Sequence, residues 1–280
     1  MPRLSTFEKG VEYMDYSDYP RAIEQFKQHI KNDGEGLAVC YNLGVCYFDQ
    51  QDYDSAVVWY EKALEYDPRD GDTLVNLGLT YLEQGRDVAA LSRLKQAADV
   101  EKDRAYPLVA MAIYYQRTGK LDKANLDKAR ELYDEAATRE EKSGYLWYHY
   151  GTLHELDERW GDAAQAYERS TNYDSTNPAA YEGAARAYMR LRNWRKAVQH
   201  YDFAIHLKSD APALYIGAAD ALIELGRYER AVKYLWAARG LSRHDDPTIS
   251  ARLLTLYPRL IEAEQNATAE PGDQPDDNGS

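Results

Sequence analysis

The sequence predicts an all-α fold made of repeated pairs of antiparallel helices, and three observations carry that prediction. First, CYNLGVCYFDQQDYDSAVVWYEKALEYDP and LVNLGLTYLEQGRDVAALSRLKQAA align at a spacing of 34 residues, which sets Gly44 on Gly78, Tyr47 on Tyr81 and Ala56 on Ala90. A fixed period of this size marks a stacked repeat architecture. Second, one column of the frame is alanine throughout: Ala22, Ala56, Ala90, Ala129, Ala163, Ala197 and Ala231. Seven alanines in register imply a place where two helices approach too closely for a larger side chain. Third, the small column Gly10, Gly44, Gly78, Ala112, Gly151, Ala185 and Ala219 faces large ones, such as Phe26, Tyr60, Leu94, Tyr133, Tyr167, Tyr201 and Leu235. Glycine inside a helix costs roughly 1 kcal/mol, so its recurrence points to close packing rather than propensity.

Taken in order, the repeats span 3–36, 37–70, 71–104, 105–143, 144–177, 178–211 and 212–245, an array over 3–245. Within a repeat the apolar positions follow the helical spacing, as in Leu43, Gly44 and Tyr47, then Ala56, Tyr60 and Ala63. Gly85, Gly119 and Gly226 mark the turns inside repeats, and Pro68, Pro178 and Pro212 mark the junctions between them, where a helix start tolerates proline. The fourth repeat holds five extra residues around GKLDKANLDKAREL, expected as a longer loop or as an added turn on its second helix. Residues 246–264 form one more amphipathic helix, with Ile249, Leu253, Leu254, Tyr257, Leu260 and Ile261 on one face, expected to cap the array. The polar, acidic stretch 265–280 is expected to be disordered.

Composition narrows the function. Lys and Arg number 34 against 47 Asp and Glu, a net charge of −13. Such an acidic protein is a poor match for phosphate backbones or anionic membranes. No stretch is apolar enough for a signal peptide or a membrane span, so a cytoplasmic location without membrane insertion is expected. Cys40 and Cys46 are too few for a disulfide framework and fall out of phase on one helix for a shared metal. His149 and His154 lie five apart, and His154 occupies a column filled elsewhere by Tyr, so packing explains it better than zinc. With no phosphate loop, nucleophile elbow or HExxH motif, neither a cofactor nor catalysis is expected.

These columns resemble the tetratricopeptide repeat family, a 34-residue helix–turn–helix unit. The match is closest in the second repeat, through Leu43, Gly44, Tyr47, Tyr53, Ala56, Tyr60, Ala63 and Pro68; the first departs at Lys9 and His29. The resemblance implies a right-handed superhelical α-solenoid whose concave face is lined by the first helix of each pair. On that basis the candidate peptide-binding groove comprises Phe7, Val11, Met14, Tyr41, Asn42, Val45, Phe48, Val75, Asn76, Leu79, Leu82, Val109 and Ile113. Glu8, Asp15, Asp49 and Glu83 edge it, and the amides of Asn42 and Asn76 are suited to a guest backbone. The later repeats present Tyr148, His149, Glu182, Arg186, Arg190, Ile216 and Asp220 instead.

A branch of the family clamps the C-terminal carboxylate of Hsp70 and Hsp90 with Lys, Asn and Arg. The corresponding positions here hold Phe7, Val11, Asn42, Asp72 and Asn76, of which only Asn42 matches, so no such clamp is expected. The function read from the sequence is a non-catalytic adaptor or scaffold. Its guest is a protein partner's apolar peptide or helix flanked by basic residues, since the groove's rim is acidic. A self-associating scaffold is the first alternative, and an RNA-binding helical repeat, disfavoured by the negative charge, the second.

Overall fold

A computed structural model describes residues 4–119, 122–242 and 246–268. Among them are fifteen α-helices and no strands. The chain divides into two compact units, the first ending at Lys142 and the second beginning at Ser143. Unit 1 contains α1 (Thr6–Asp15), α2 (Tyr19–Asp33), α3 (Leu37–Asp49), α4 (Tyr53–Tyr66), α5 (Gly71–Glu83), α6 (Asp87–Val100), α7 (Tyr106–Thr118) and α8 (Lys123–Arg139). Unit 2 contains α9 (Gly144–Leu156), α10 (Trp160–Tyr173), α11 (Pro178–Arg190), α12 (Trp194–Leu207), α13 (Pro212–Glu224), α14 (Tyr228–Leu241) and α15 (Pro247–Thr268). Within each unit every helix packs on the next in sequence.

The small-against-large columns meet inside the helix pairs. A Cβ added at Gly44 would lie 2.5 Å from the Tyr60 ring, and one at Gly10 would lie 2.5 Å from that of Phe26. The glycines are therefore contact surfaces on which the facing rings rest. All seven alanines of the invariant column are fully buried. Tyrosine is abundant, 25 copies against 4 Phe, and the reason is visible at the boundary between successive pairs. There the Tyr81 hydroxyl donates to Glu61 at 2.8 Å, that of Tyr188 donates to Glu168 at 2.5 Å, and Lys27 donates to the Tyr47 hydroxyl at 2.7 Å. Each partner lies 20 residues earlier in the chain. A phenylalanine would fill the same space but leave the charged group at the rim without that contact.

The turn inside a pair has a recurring construction. Ser17, Gln51, Gly85, Glu158, Arg192 and Gly226 all adopt left-handed backbone, with φ between 56° and 70°. The following N–H reaches back to the carbonyl of Tyr13, Tyr47, Tyr81, His154, Tyr188 or Leu222 at 2.8–2.9 Å. This is the six-to-one bond of a Schellman helix end. The fourth pair departs from the pattern: Gly119 has φ −102°, and its N–H bonds only to Tyr115, at 2.9 Å. Three of the five extra residues lengthen the second helix, because α8 has 17 residues where α4, α6, α10, α12 and α14 have 14.

The last helix corrects the sequence reading in two respects. It runs to Thr268, so 265–268, expected in the disordered tail, are helical; residues 269–280 lie outside the described residues. Its buried face is Ile249, Leu253 and Leu256, against the unit 2 core. Leu254, Tyr257 and Ile261, expected on that same face, are 74%, 38% and 53% exposed. The helix thus carries two apolar stripes, and the expected single face combined members of both.

Candidate functional site

In unit 1 the first helices of the pairs touch in series, α1 on α3, α3 on α5 and α5 on α7. Most of the expected groove residues are half-buried on these helices: Phe7, Val11, Met14, Tyr41, Asn42, Val45, Phe48, Asn76, Leu79 and Ile113. Phe7, Val11, Met14 and Tyr41 lean on a core built around Phe26 and Leu43. Val45, Phe48 and Ile113 lean on one built around Tyr60 and Tyr81, and Leu79 on one built around Leu74 and Leu94. Val75, Leu82 and Val109 are buried, at 0%, 5% and 1% exposure. These three form part of the helix-packing core beneath the strip and offer no surface to a guest.

The polar groups of the strip divide sharply. Asn76 is already engaged: its amide nitrogen donates to the Tyr41 hydroxyl at 2.9 Å, and its amide oxygen accepts from the Tyr106 hydroxyl at 2.9 Å. This chain crosses α3, α5 and α7 and fixes their spacing. Burial, reinforced by the charge of Asp72, raises the pKa of Tyr41, so its hydroxyl stays protonated. The expectation that Asn76 awaits a guest backbone is thereby corrected; an amide has four hydrogen-bonding sites, and two of these are taken. Asn42, by contrast, is half-buried in the same strip and has no side-chain partner among the described residues. Asn76→Ala should destabilise unit 1 by about 1–3 kcal/mol, because the Tyr41 hydroxyl loses its donor in a partly buried place. The urea midpoint of the variant against wild type measures this.

The acidic rim is weaker than composition implied. Glu8 is turned back onto Ser5, whose backbone N–H donates to it at 2.8 Å as half of a capping box, and that bond lowers its pKa. Glu83 is held by two hydrogen bonds from Arg117, one of them 3.1 Å long. Asp49 is exposed; desolvation by its neighbours raises its pKa against a hydrogen bond from Tyr19. Asp15, also exposed, has neither an ion pair nor a side-chain hydrogen bond among the described residues.

In unit 2 the first-helix charges are largely spoken for. Arg186 bridges Glu155 at 2.9 Å and Glu182 at 3.0 Å; Asp220 accepts from Arg252 of α15 at 2.9 Å; and Arg190 lies 5.0 Å from the centre of the Trp160 ring. His149 sits between Tyr145 and Tyr148, with ring centres at 4.4 and 5.0 Å, and burial lowers its pKa to about 4. No group of His, Cys, Asp and Glu among the described residues could hold a metal. No described helix is long and apolar enough to cross a membrane.

The tyrosine–asparagine bridge of α3, α5 and α7 and the Arg117–Glu83 pair escaped the sequence reading. Their only signal was polar side chains recurring on first helices about one repeat apart, a pattern that does not say which of them touch.

Family models described as tetratricopeptide repeat match residues 38–70, 59–92, and 109–178 with 183–246. Among solved structures, the chain is similar to one in the Cut9–Hcn1 hetero-tetramer of the APC/C, with TM-score 0.68 and 13% identity, over 88% of this chain and 48% of that one. This chain therefore spans about half the length of that relative. It is also similar to a tetratricopeptide repeat protein from Parabacteroides merdae, with TM-score 0.54 and 18% identity, over 90% and 97% of the two chains. For pilF of Pseudomonas aeruginosa the TM-score is 0.59 and the identity 20%, over 74% and 96%. At these identities the likeness speaks for the fold alone. No curated protein matches the sequence.

Proposed function

Because the chain belongs to the tetratricopeptide repeat family, whose repeats indicate a protein-interaction scaffold, we propose that it is a non-catalytic adaptor holding an apolar segment of a partner protein against the first-helix face of unit 1. In this reading the array comprises seven repeats over 3–245, with α15 as its closing helix. The observation that carries the proposal is Asn42: a half-buried amide with no partner among the described residues, set between apolar side chains that keep part of their surface. An extended guest backbone offers both the N–H and the C=O that this amide lacks. Around it, Phe7, Val11, Val45, Phe48 and Leu79 supply apolar contact.

Burying three or four apolar guest side chains is worth on the order of 6–10 kcal/mol, and ordering the guest offsets much of it. Micromolar affinity, about −8 kcal/mol, is the expected ceiling for one short segment. With Arg117 neutralising Glu83, preference for basic residues beside the apolar anchors is reduced to a contribution from Asp15 and Asp49.

An affinity capture from native extract tests the proposal, comparing wild type with the Val45→Glu, Leu79→Glu double variant and with Asn42→Ala. Selective loss of one protein from both variants, each with unchanged circular dichroism, is the expected result. Identical recoveries from all three baits would refute the assignment. A second reading, self-association, draws on the exposed stripe Leu254, Tyr257 and Ile261 of α15. It requires a mass by light scattering that rises with concentration and returns to one chain in Leu254→Glu.

A further inference from the structure

We infer that unit 2 carries a separate groove, between α12 and α14, which binds an acidic peptide bearing a bulky apolar side chain. Two adjoining cavities of about 660 and 610 Å³ share Arg195, Val198 and Arg230, so they form one continuous depression along α12. Its first part is walled by the half-buried Leu225 and Tyr228, floored by the core residues Val198 and Leu222, and closed by Leu260 of α15. Farther along, Phe203 lines it and is 48% exposed. The volume suits one or two Leu- or Phe-sized side chains.

The charges around these walls are not balanced. Arg230 is engaged by Asp202 at 2.6 Å and by the Tyr234 hydroxyl at 3.0 Å, and Glu229 is engaged by Lys233 at 2.6 Å. The two carboxylates of the lining, Asp202 and Glu229, are thus already neutralised. Arg195 and Arg227 have no ion pair or side-chain hydrogen bond among the described residues. In a chain with a net charge of −13, two unpaired guanidiniums beside an apolar depression form a local reversal of sign. Each guanidinium is suited to a carboxylate, with which it makes paired hydrogen bonds. A bare phosphate would leave the apolar wall unused, and a nucleic acid would need a longer basic track than two arginines provide. An acidic peptide with an apolar anchor uses both features. The inference does not rest on the first-helix face of unit 1.

Fluorescence anisotropy on the full chain tests it, with three labelled synthetic peptides: one with Leu and Phe set among Glu and Asp, one with Lys replacing the acids, and one with Ala replacing Leu and Phe. The first should bind, and both others should bind about tenfold more weakly or worse. The exposed pair Arg195→Glu with Arg227→Glu should abolish binding without changing thermal unfolding. Arg195→Gln with Arg227→Gln serves if the reversed charges disturb folding, and should weaken binding by about tenfold. No binding of the acidic peptide by wild type, or equal affinity in wild type and the variant pairs, overturns the inference. So does equal binding of the Lys or the Ala peptide. If binding emerges only after removal of residues 269–280, which include Glu270, Asp273, Asp276 and Asp277, the groove belongs to the chain's own acidic end and the partner assignment is wrong.

Discussion

Tyr167→Ala is expected to lower stability by about 3–5 kcal/mol, the usual range for removing a large aromatic ring from a core. The ring is fully buried in unit 2. It is seated between two glycines on different helices: a Cβ at Gly151 of α9 would lie 2.8 Å from it, and one at Gly183 of α11 would lie 2.5 Å from it. Neither glycine has a side chain that could swing into the vacated space, so the cavity would persist and the cost should fall at the high end. The hydroxyl adds a second contribution. It donates to Glu155 at 2.6 Å, and that carboxylate also holds Arg186. Tyr167→Phe separates the two effects, retaining the ring and losing only the hydrogen bond, for about 1–2 kcal/mol. Urea unfolding of the three proteins, with unchanged m-values, measures both steps. A loss below about 1 kcal/mol in Tyr167→Ala would mean that α9 and α11 close over the gap.

The second large effect is acid sensitivity from His149. Burial lowers its folded-state pKa from 6.5 to about 4. A histidine with a depressed pKa binds fewer protons folded than unfolded, so acidification favours the unfolded chain. Above pH 6.5 both states hold the neutral ring and the effect is absent. Between about pH 6.5 and 4 the unfolded chain gains the proton first, and stability falls by up to about 3 kcal/mol; below that it levels off. His200 is shifted in the same direction, chiefly by burial, although Glu168 opposes the shift. The difference between wild type and His149→Gln therefore isolates the first histidine. The variant's denaturation midpoint should be flatter over that interval. Parallel curves would show that the pocket between Tyr145 and Tyr148 admits the charged ring.

The helical repeat was legible because it rests on short-range geometry that recurs. An alanine column and a glycine facing an aromatic ring each specify a contact, and one period fixes all the others. The groove residues were legible only as a helix face. The periodicity that places Val75 and Val109 on the same face as Leu79 cannot say how closely the next helix approaches, and in unit 1 it approaches closely enough to bury the first two. Polar partners were less accessible still, because Asn76 and Asn42 occupy the same column, yet tyrosine hydroxyls bond only Asn76. In α15, about six turns without a repeat to align against left two apolar stripes merged into one. Leu256 and Leu254 are separated by direction, and direction is set by where α14 lies.

The left-handed residue that follows six of the first helices also shapes how the sequence can drift. Ser17, Gln51, Glu158 and Arg192 hold a backbone shape that costs a side-chain-bearing residue about 1 kcal/mol or more, whereas Gly85 and Gly226 hold it freely. Mutation at those four places is biased in its consequences: glycine relaxes the turn by about 0.5–1 kcal/mol after the added freedom of the unfolded chain is counted, while a β-branched residue would strain it. Each turn is sensed mainly by its own pair of helices. Four separate substitutions should therefore sum, raising the melting temperature stepwise while the binding surfaces stay as they are. The repeats that carry a side chain at this position are the ones through which engineering could raise heat tolerance without a change of specificity.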